Sequence, residues 1–315
     1  MTGYTVAVVG ARDVAAELGK RGTASDLTLF NATGAGHAIT FIEPTQFPEK
    51  LAPLLASLRM AERAVFVVNA LSKEVAETAT ALDLVDTPVE VFAGSTVGPD
   101  EIRRAFKGMR FANDTIRPYD LLKLREEIET WRVEPRNGPP RVPLDHAFPV
   151  RGVGAVALGV VRGGPLHTHA KLRLFPTPKE VEVRSIQVHD VDVREAATGD
   201  RVGVALKGVE ADELERGQVL AEPGDLSVGT TLRGSGFRRC PYYRGDVVVG
   251  AHLHLSVGLQ LVPAVIEALD GASTTVSVDR PVAFAPGDVG VLADLSATSG
   301  SRLVARFSLG AATQG

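Results

Sequence analysis

The sequence predicts an α/β domain followed by two β-barrels, and three observations carry that expectation. Short apolar runs alternate with helical patterns through the first third of the chain. A proline-rich stretch, Glu134–Pro143 (EPRNGPPRVP), then interrupts the pattern, and beyond it β-branched runs recur between glycine turns with no long helical pattern. Strands alternating with helices imply a parallel sheet covered on both faces. Short strands at turn-to-turn spacing imply closed barrels rather than an open sheet.

In chain order, Thr5–Val9 reads as a strand ending at Gly10, and Val14–Leu18 as a short helix closed by Gly19 or Gly22. Leu27–Asn31 and Ala38–Ile42 read as strands. Pro48–Arg63 reads as a helix, since Leu51, Leu54, Leu55 and Leu58 fall on one face. Ala64–Asn69 and Val89–Ala93 are buried-type strands, and Glu74–Leu84, Pro99–Lys107 and Tyr119–Trp131 are helices. After the proline-rich linker, strands are expected at Ala155–Val161, Lys171–Phe175, Val181–Val188, Arg201–Leu206, Val247–Val249, His252–Val257, Thr274–Val278 and Leu303–Ser308. A second boundary falls near Glu222–Gly224, so the expected domains are 1–135, 141–224 and 225–315.

Composition excludes several classes. In 315 residues the net charge is -4, so a globally basic nucleic-acid coat is out, though a local basic patch is not. One cysteine, Cys240, rules out a disulfide framework and a multi-cysteine metal centre. No apolar run approaches the ~20 residues of a membrane helix, and the start, MTGYTVAVVGARD, carries no basic leader, so the expectation is a cytoplasmic protein.

The middle segment is the most specific. Val150-Arg151-Gly152-Val153-Gly154 precedes a strand and the turn Arg162-Gly163-Gly164; further on stand Gly199-Asp200-Arg201-Val202, Lys207-Gly208-Val209 and Arg216-Gly217-Gln218-Val219-Leu220. This pattern over residues 141–224 closely resembles the second domain of EF-Tu-type translational GTPases, above all the selenocysteine-specific SelB group. Ala251–Gly258 with Val262–Leu269 looks like the third domain of the same group. The resemblance implies that residues 1–135 are a P-loop-NTPase-like G domain, and that the family's second and third domains hold aminoacyl-tRNA.

The G-domain chemistry does not follow. A P-loop needs Gly-x-x-x-x-Gly-Lys-Ser/Thr after the first strand, so that amides and Lys meet phosphate and the hydroxyl meets magnesium. Counting from Gly10, the second Gly, the Lys and the hydroxyl positions hold Ala15, Ala16 and Glu17. Gly19-Lys20 in register puts Val14 and Arg21 at the other key positions. Where Asp-x-x-Gly and its following His belong stand Glu43-Pro44-Thr45-Gln46-Phe47, and where the guanine-reading Asn-Lys-x-Asp belongs stand Gly94-Ser95-Thr96-Val97. The expectation is a degenerate G domain with no catalytic residue and no bound cofactor; GTP with magnesium belongs to the alternative, a divergent factor with non-standard nucleotide contacts.

Other constellations are weaker. His167/His169 and His252/His254 place imidazoles two apart, and His37 reads as a loop residue; no metal is expected. Asp145, His146 and Ser185 or Ser256 lack a nucleophile-elbow context. Gly34-Ala35-Gly36 precedes a strand, not a helix, which removes the dipole argument for a phosphate nest. The segment Leu226–Gly245 instead interleaves Arg233, Arg238, Arg239 and Arg244 with Phe237, Tyr242 and Tyr243, the equipment for phosphate contact and base stacking. The expected partner is RNA (tRNA or ribosome) or a translation factor, not DNA or a membrane.

Overall fold

The computed structural model describes residues 2–34 and 37–311. The chain forms two compact units, Met1–Val133 and Glu134–Gly315.

In the first unit the elements run β1 (Thr2–Gly10), α1 (Val14–Leu18), β2 (Lys20–Ala24), β3 (Thr28–Gly34), β4 (His37–Glu43), α2 (Ala52–Met60), β5 (Arg63–Val68), α3 (Lys73–Val85), β6 (Val89–Ala93), α4 (Pro99–Ala105), β7 (Arg117–Pro118) and α5 (Leu121–Thr130). The sheet order is β2-β3-β4-β1-β5-β6-β7; β4 through β7 are parallel and β2 and β3 antiparallel. Both faces are covered. On one, Val6, Val8, Phe41 and Val65 pack with Leu124 and Ile128 of α5. On the other, Phe66 stacks on Phe106 with ring centroids 5.8 Å apart and meets Phe111 edge-on. Local chemistry sets the helix starts: Ser72 caps α3 by accepting from the Val75 amide at 3.2 Å, and Asp120 caps α5 by accepting from the Leu122 and Lys123 amides.

The second unit contains β8 (Arg141–Val150), β9 (Gly154–Val160), β10 (Leu166–His167), β11 (Lys171–Phe175), β12 (Lys179–Val188), β13 (Val191–Val193), β14 (Glu195–Ala196), β15 (Arg201–Lys207), β16 (Val219–Ala221), β17 (Ser227–Arg239), β18 (His252–Val257), β19 (Gln260–Asp270), β20 (Ser273–Phe284), β21 (Val289–Ala293) and β22 (Leu303–Leu309). The order β11-β16-β8-β9-β15-β12 closes on itself through the β11–β12 pairing, giving a six-strand barrel with β13 appended. The second six-strand barrel closes as β17-β20-β19-β18-β21-β22. Phe175, Val219 and Ala221 of the first barrel share an apolar cluster with Leu226 and Ala283, and Arg141 pairs with Asp225 at 3.1 Å beside it.

Several elements differ from the sequence reading for identifiable reasons. Strand β2 was not expected: it lies at the sheet edge with every residue exposed, so it carries no hydrophobic alternation. His37 begins a strand rather than occupying a loop, while residues 35 and 36 of the glycine nest lie outside the described residues. Helix α2 begins at Ala52, not Pro48, after a run of turns. Val247–Val249 is irregular backbone, and Val248 and Val249 are 55% and 60% exposed. The Glu134–Pro143 stretch is no free linker. The Arg136 amide donates to Thr198 Oγ1 at 3.1 Å, the Gly164 amide donates to the Pro139 carbonyl at 3.0 Å, and β8 begins inside the stretch at Arg141. Gly164 is needed there, because a Cβ would stand 2.0 Å from the Gly138 carbonyl oxygen.

Candidate functional site

A cleft of about 400 Å³ opens at the carboxyl ends of β1 and β4, where the chain builds β2 to β4 on one side of β1 and then β5 to β7 on the other. Open α/β sheets place ligands at such a switch point. The β1–α1 connection that forms its floor is only Ala11-Arg12-Asp13. Gly10 has φ 94°, and a Cβ on it would meet the Val67 carbonyl oxygen at 2.2 Å, so close packing on β5 explains this glycine without any ligand. The Ala11 amide donates to the same Val67 carbonyl at 2.8 Å.

The charged residues lining the cleft are Arg12, Asp13, Arg21, Glu43 and Glu74. Glu43 is half-buried; burial pushes its carboxyl above the ordinary range, opposed by the Asp13 backbone N–H that donates to it. Ala16 lines the cleft but Ala15 is fully buried on the inner face of α1. Glu17, counted at the hydroxyl position of a P-loop, does not line the cleft; its carboxylate accepts from the Tyr119 hydroxyl at 3.2 Å. The carboxylates that do face the cleft are Asp13, Glu43 and Glu74. Asp13 and Glu74 escaped the sequence reading because neither sits at a motif position.

The loop after β6 is committed to packing. A Cβ on Gly94 would lie 1.8 Å from Asn69 Oδ1, and the Thr96 hydroxyl donates to the Asn69 carbonyl. Its four residues, Gly94-Ser95-Thr96-Val97, supply no carboxylate.

The basic, aromatic tract is not one connector. Residues 227–239 are β17, the first strand of the last barrel, and residues 240–251 cross one end of it. Arg233, Arg238, Arg239 and Arg244 are exposed and Phe237 is half-buried. Tyr242 is 43% exposed, whereas Tyr243 is 7% exposed and its hydroxyl donates to Asp294 at 3.0 Å. Tyr243 is thus an anchor, and its ring is not offered for stacking. Burial, then the Asp294 hydrogen bond, push the Tyr243 hydroxyl pKa up; hydrogen bonds from Ser296 and Tyr243 hold Asp294 down against the burial that would raise it. Arg239 likewise holds the loop, donating to the Gly245 carbonyl at 2.8 Å. The groups the tract presents outward are Arg233, Arg238, Tyr242 and Arg244.

In the first barrel, Asp145 is buried and receives Arg201 on both oxygens, Nη2 to Oδ2 at 2.8 Å, while His146 Nδ1 stands 2.5 Å from Oδ2. Burial would raise the Asp145 pKa, but the Arg201 charge and the His146 contact outweigh it and hold the carboxylate low. The carboxylate is therefore part of an ion-pair network. Ser256, buried, lies in the other barrel. His167 faces Glu195 and His169 faces Glu182 at the surface, and among the described residues no group of three or more His, Cys, Asp or Glu is arranged to hold a metal ion. His252 and His254 lie on β18 opposite Val265 and Pro263, and Cys240 is buried with its amide donating to the Val304 carbonyl.

Comparison with known proteins shows what the chain is similar to. The family model described as elongation factor Tu domain 2 matches residues 154–221. A Methanocaldococcus jannaschii protein described as uncharacterized protein MJ0325 is 35% identical over 300 residues, covering 94% of this chain and 97% of that one. The selenocysteine-specific elongation factor of the same organism is 30% identical over 288 residues, covering 83% of this chain but 61% of its own length. Residues 154–221 are thus similar to elongation factor Tu domain 2, and the chain as a whole is a homologue of SelB-type elongation factors. The crystal structure of SelB from Methanococcus maripaludis with the GTP analogue GppNHp superposes with a TM-score of 0.82 at 20% identity, over 99% of this chain and 79% of that one. A bacterial selenocysteine-specific factor, EF-Sec, superposes with a TM-score of 0.79 at 18% identity, covering 98% of this chain and 58% of that one. The architecture is therefore the SelB-like one, a G-domain-like sheet unit followed by two six-strand barrels. No helix among the described residues is long and apolar enough to cross a membrane. The cleft includes Gly10, the residue from which the sequence reading counts the P-loop positions.

Proposed function

We propose that this SelB-like chain works in translation, in the cytoplasm, as a binding protein without a GTP cycle, and that the outward face of its 233–244 tract contacts RNA, tRNA or ribosomal. The observation that carries the first half is the β1–α1 connection. Three residues replace the phosphate-cradling loop, and Ala16 stands where the P-loop Lys belongs. The cleft beside it is lined by the carboxylates Asp13, Glu43 and Glu74 against the guanidiniums Arg12 and Arg21, a balance that disfavours a triphosphate. The Gly94–Val97 loop offers the guanine N–H groups no carboxylate. For the second half, Arg233, Arg238 and Arg244 with exposed Tyr242 supply charge for phosphates and a ring for a base.

One observation favours the alternative, a divergent GTP-binding factor: the cleft itself persists at the switch point of the sheet. Calorimetric titration with GTP and GDP in the presence of magnesium separates the two. The proposal expects no binding; micromolar or tighter affinity sinks it. A parallel titration with tRNA and rRNA fragments across a salt series tests the RNA half, which expects affinity falling steeply with salt. If no RNA binds at physiological salt, a translation factor becomes the partner to seek.

A further inference from the structure

Asn137-Gly138 is the chain's one Asn-Gly pair, and it stands in the irregular segment just past the boundary between the two units. Both residues are exposed. The chain is pinned on either side of them. The Arg136 amide donates to Thr198 Oγ1 at 3.1 Å, and that hydroxyl donates to the Gly163 carbonyl at 2.7 Å. Beyond the pair, the Pro139 carbonyl accepts the Gly164 amide at 3.0 Å. Between the pins, the Asn137 side chain and the Gly138 amide have no hydrogen-bond partner among the described residues. Gly138 has φ 107°, a conformation that L side chains rarely adopt, so the bend itself calls for glycine. A Cβ there would meet nothing within 4 Å, so conformation and not crowding keeps the glycine in place.

This combination sets up an intramolecular reaction. An asparagine side-chain amide is one five-membered ring away from the next backbone nitrogen, and a following glycine puts no Cβ in the path of attack. We propose that Asn137 is a self-modification site, at which the unpaired Gly138 nitrogen converts the side-chain amide into an aspartyl or isoaspartyl linkage. The nitrogen attacks Cγ and gives up its proton; the Cγ–Nδ2 bond breaks, and ammonia leaves with that proton. The product is a cyclic imide, which water opens at either carbonyl. Opening at Cγ leaves aspartate in a normal backbone. Opening at the main-chain carbon leaves isoaspartate, with the chain running through Cβ and Cγ. Water is the only co-reactant and nothing is oxidised. The iso product adds one carbon to the main chain between the Thr198 and Gly164 pins, and either product adds a negative charge next to Arg136. Ammonia is not recovered, so the segment following the first unit changes in one direction as the protein ages.

The test incubates the full native chain at physiological temperature and mildly alkaline pH, with samples cut by trypsin over days. Cleavage after Arg136 and Arg141 releases residues 137–141, whose amide, aspartyl and isoaspartyl forms separate by chromatography and mass. Asn31, Asn69 and Asn113 are also exposed but are followed by Ala, Ala and Asp, so they serve as internal standards. Asn137 is expected to convert within ~10-fold of the rate of a synthetic peptide of residues 134–141, a factor equal to ~1.4 kcal/mol of barrier. The isoaspartyl form should be in the majority, and the three standards should stay intact. Gly138→Ala should slow the conversion ~10-fold or more. Asn137→Gln keeps Gly138 and its bend, and the larger ring it would have to close should leave it unconverted, which keeps the test open if the alanine variant is strained. Asn137 that stays intact while the peptide converts, standards that convert at the same rate, an unslowed Gly138→Ala, or a product that is aspartate alone overturns the proposal.

Discussion

The first unit and the first barrel carry their likeness to SelB-type factors in different ways. In the first unit the likeness lies in the fold, a sheet packed on both faces, and no Gly-x-x-x-x-Gly-Lys-Ser/Thr run follows its first strand. In the first barrel the sequence pattern itself persists, from the Val150–Gly154 turn to the Arg216–Leu220 exit, and the family model matches through it. The difference teaches that the α/β scaffold is held by buried apolar side chains that ligand chemistry does not constrain. The barrel is held by turns and a buried ion pair that are themselves the recognisable residues. Phe66, Phe106 and Phe111 do not depend on what the cleft binds. Gly199 (φ 91°) and Arg201 are structural and diagnostic at once.

The sharpest way to break this comparison is to attack each unit at its own support. Asp145→Ala leaves the Arg201 guanidinium, whose side chain is 11% exposed, without its partner. The expected cost is about 3–5 kcal/mol, read as a lowered denaturation midpoint of the barrel unit. The pH dependence has a definite sign. Asp145 is held below its unfolded value, so its contribution is complete above the ordinary carboxylate range, roughly pH 4, and is lost as pH falls through the depressed folded value. The acid limb of the wild-type stability curve should therefore be steeper than that of Asp145→Asn. Parallel acid limbs would show that the pair contributes nothing to stability.

Phe66→Ala is the counterpart in the first unit. It removes a fully buried ring that meets two others and should cost about 3–5 kcal/mol. The two losses should appear in separate unfolding transitions if the units are independently stable, and calorimetry of the two variants reads this directly.

How much was legible follows the same division. Helix α1 and strand β6 were readable to the residue, because each is a compact apolar run between breakers. Strand β2 was not, because an exposed edge strand such as Lys20–Ala24 has no buried face to write into the sequence. The start of strand β8 was hidden because Arg141–Pro143 close the proline-rich stretch that reads as linker, although proline is tolerated where its missing N–H is not needed. At the cleft, spacing alone identifies Ala15, Ala16 and Glu17 as the residues at the counted positions. That Glu17 turns toward Tyr119 while Asp13 and Glu74 face the opening depends on side-chain direction, which spacing does not encode. In the tract, composition named the right segment but did not separate Tyr242 from Tyr243. Adjacent residues face opposite ways, and only burial distinguishes the exposed ring from the anchored one.

That separation gives the smallest expected effects and the cleanest contrast. Tyr242→Ala should weaken RNA binding by about 1–3 kcal/mol while leaving the melting temperature in place, because its ring is largely outside the core. Replacing Arg233 and Arg244 by Ala should lower the slope of log affinity against log salt by about 0.7 per lost phosphate contact on single-stranded RNA. The tyrosine variant should keep the wild-type slope, since stacking releases no counterions. Tyr243→Phe should do the reverse of Tyr242→Ala. Losing the hydrogen bond to Asp294 should cost about 0.5–1.5 kcal/mol of stability, with RNA affinity unchanged. If Tyr243→Phe weakens RNA binding while the melting temperature holds, the buried hydroxyl is part of the interface and the division between anchor and contact is wrong. If both tyrosine variants and the arginine variant bind RNA as wild type does, the tract is only the end of a barrel, and the protein's partner lies elsewhere on its surface.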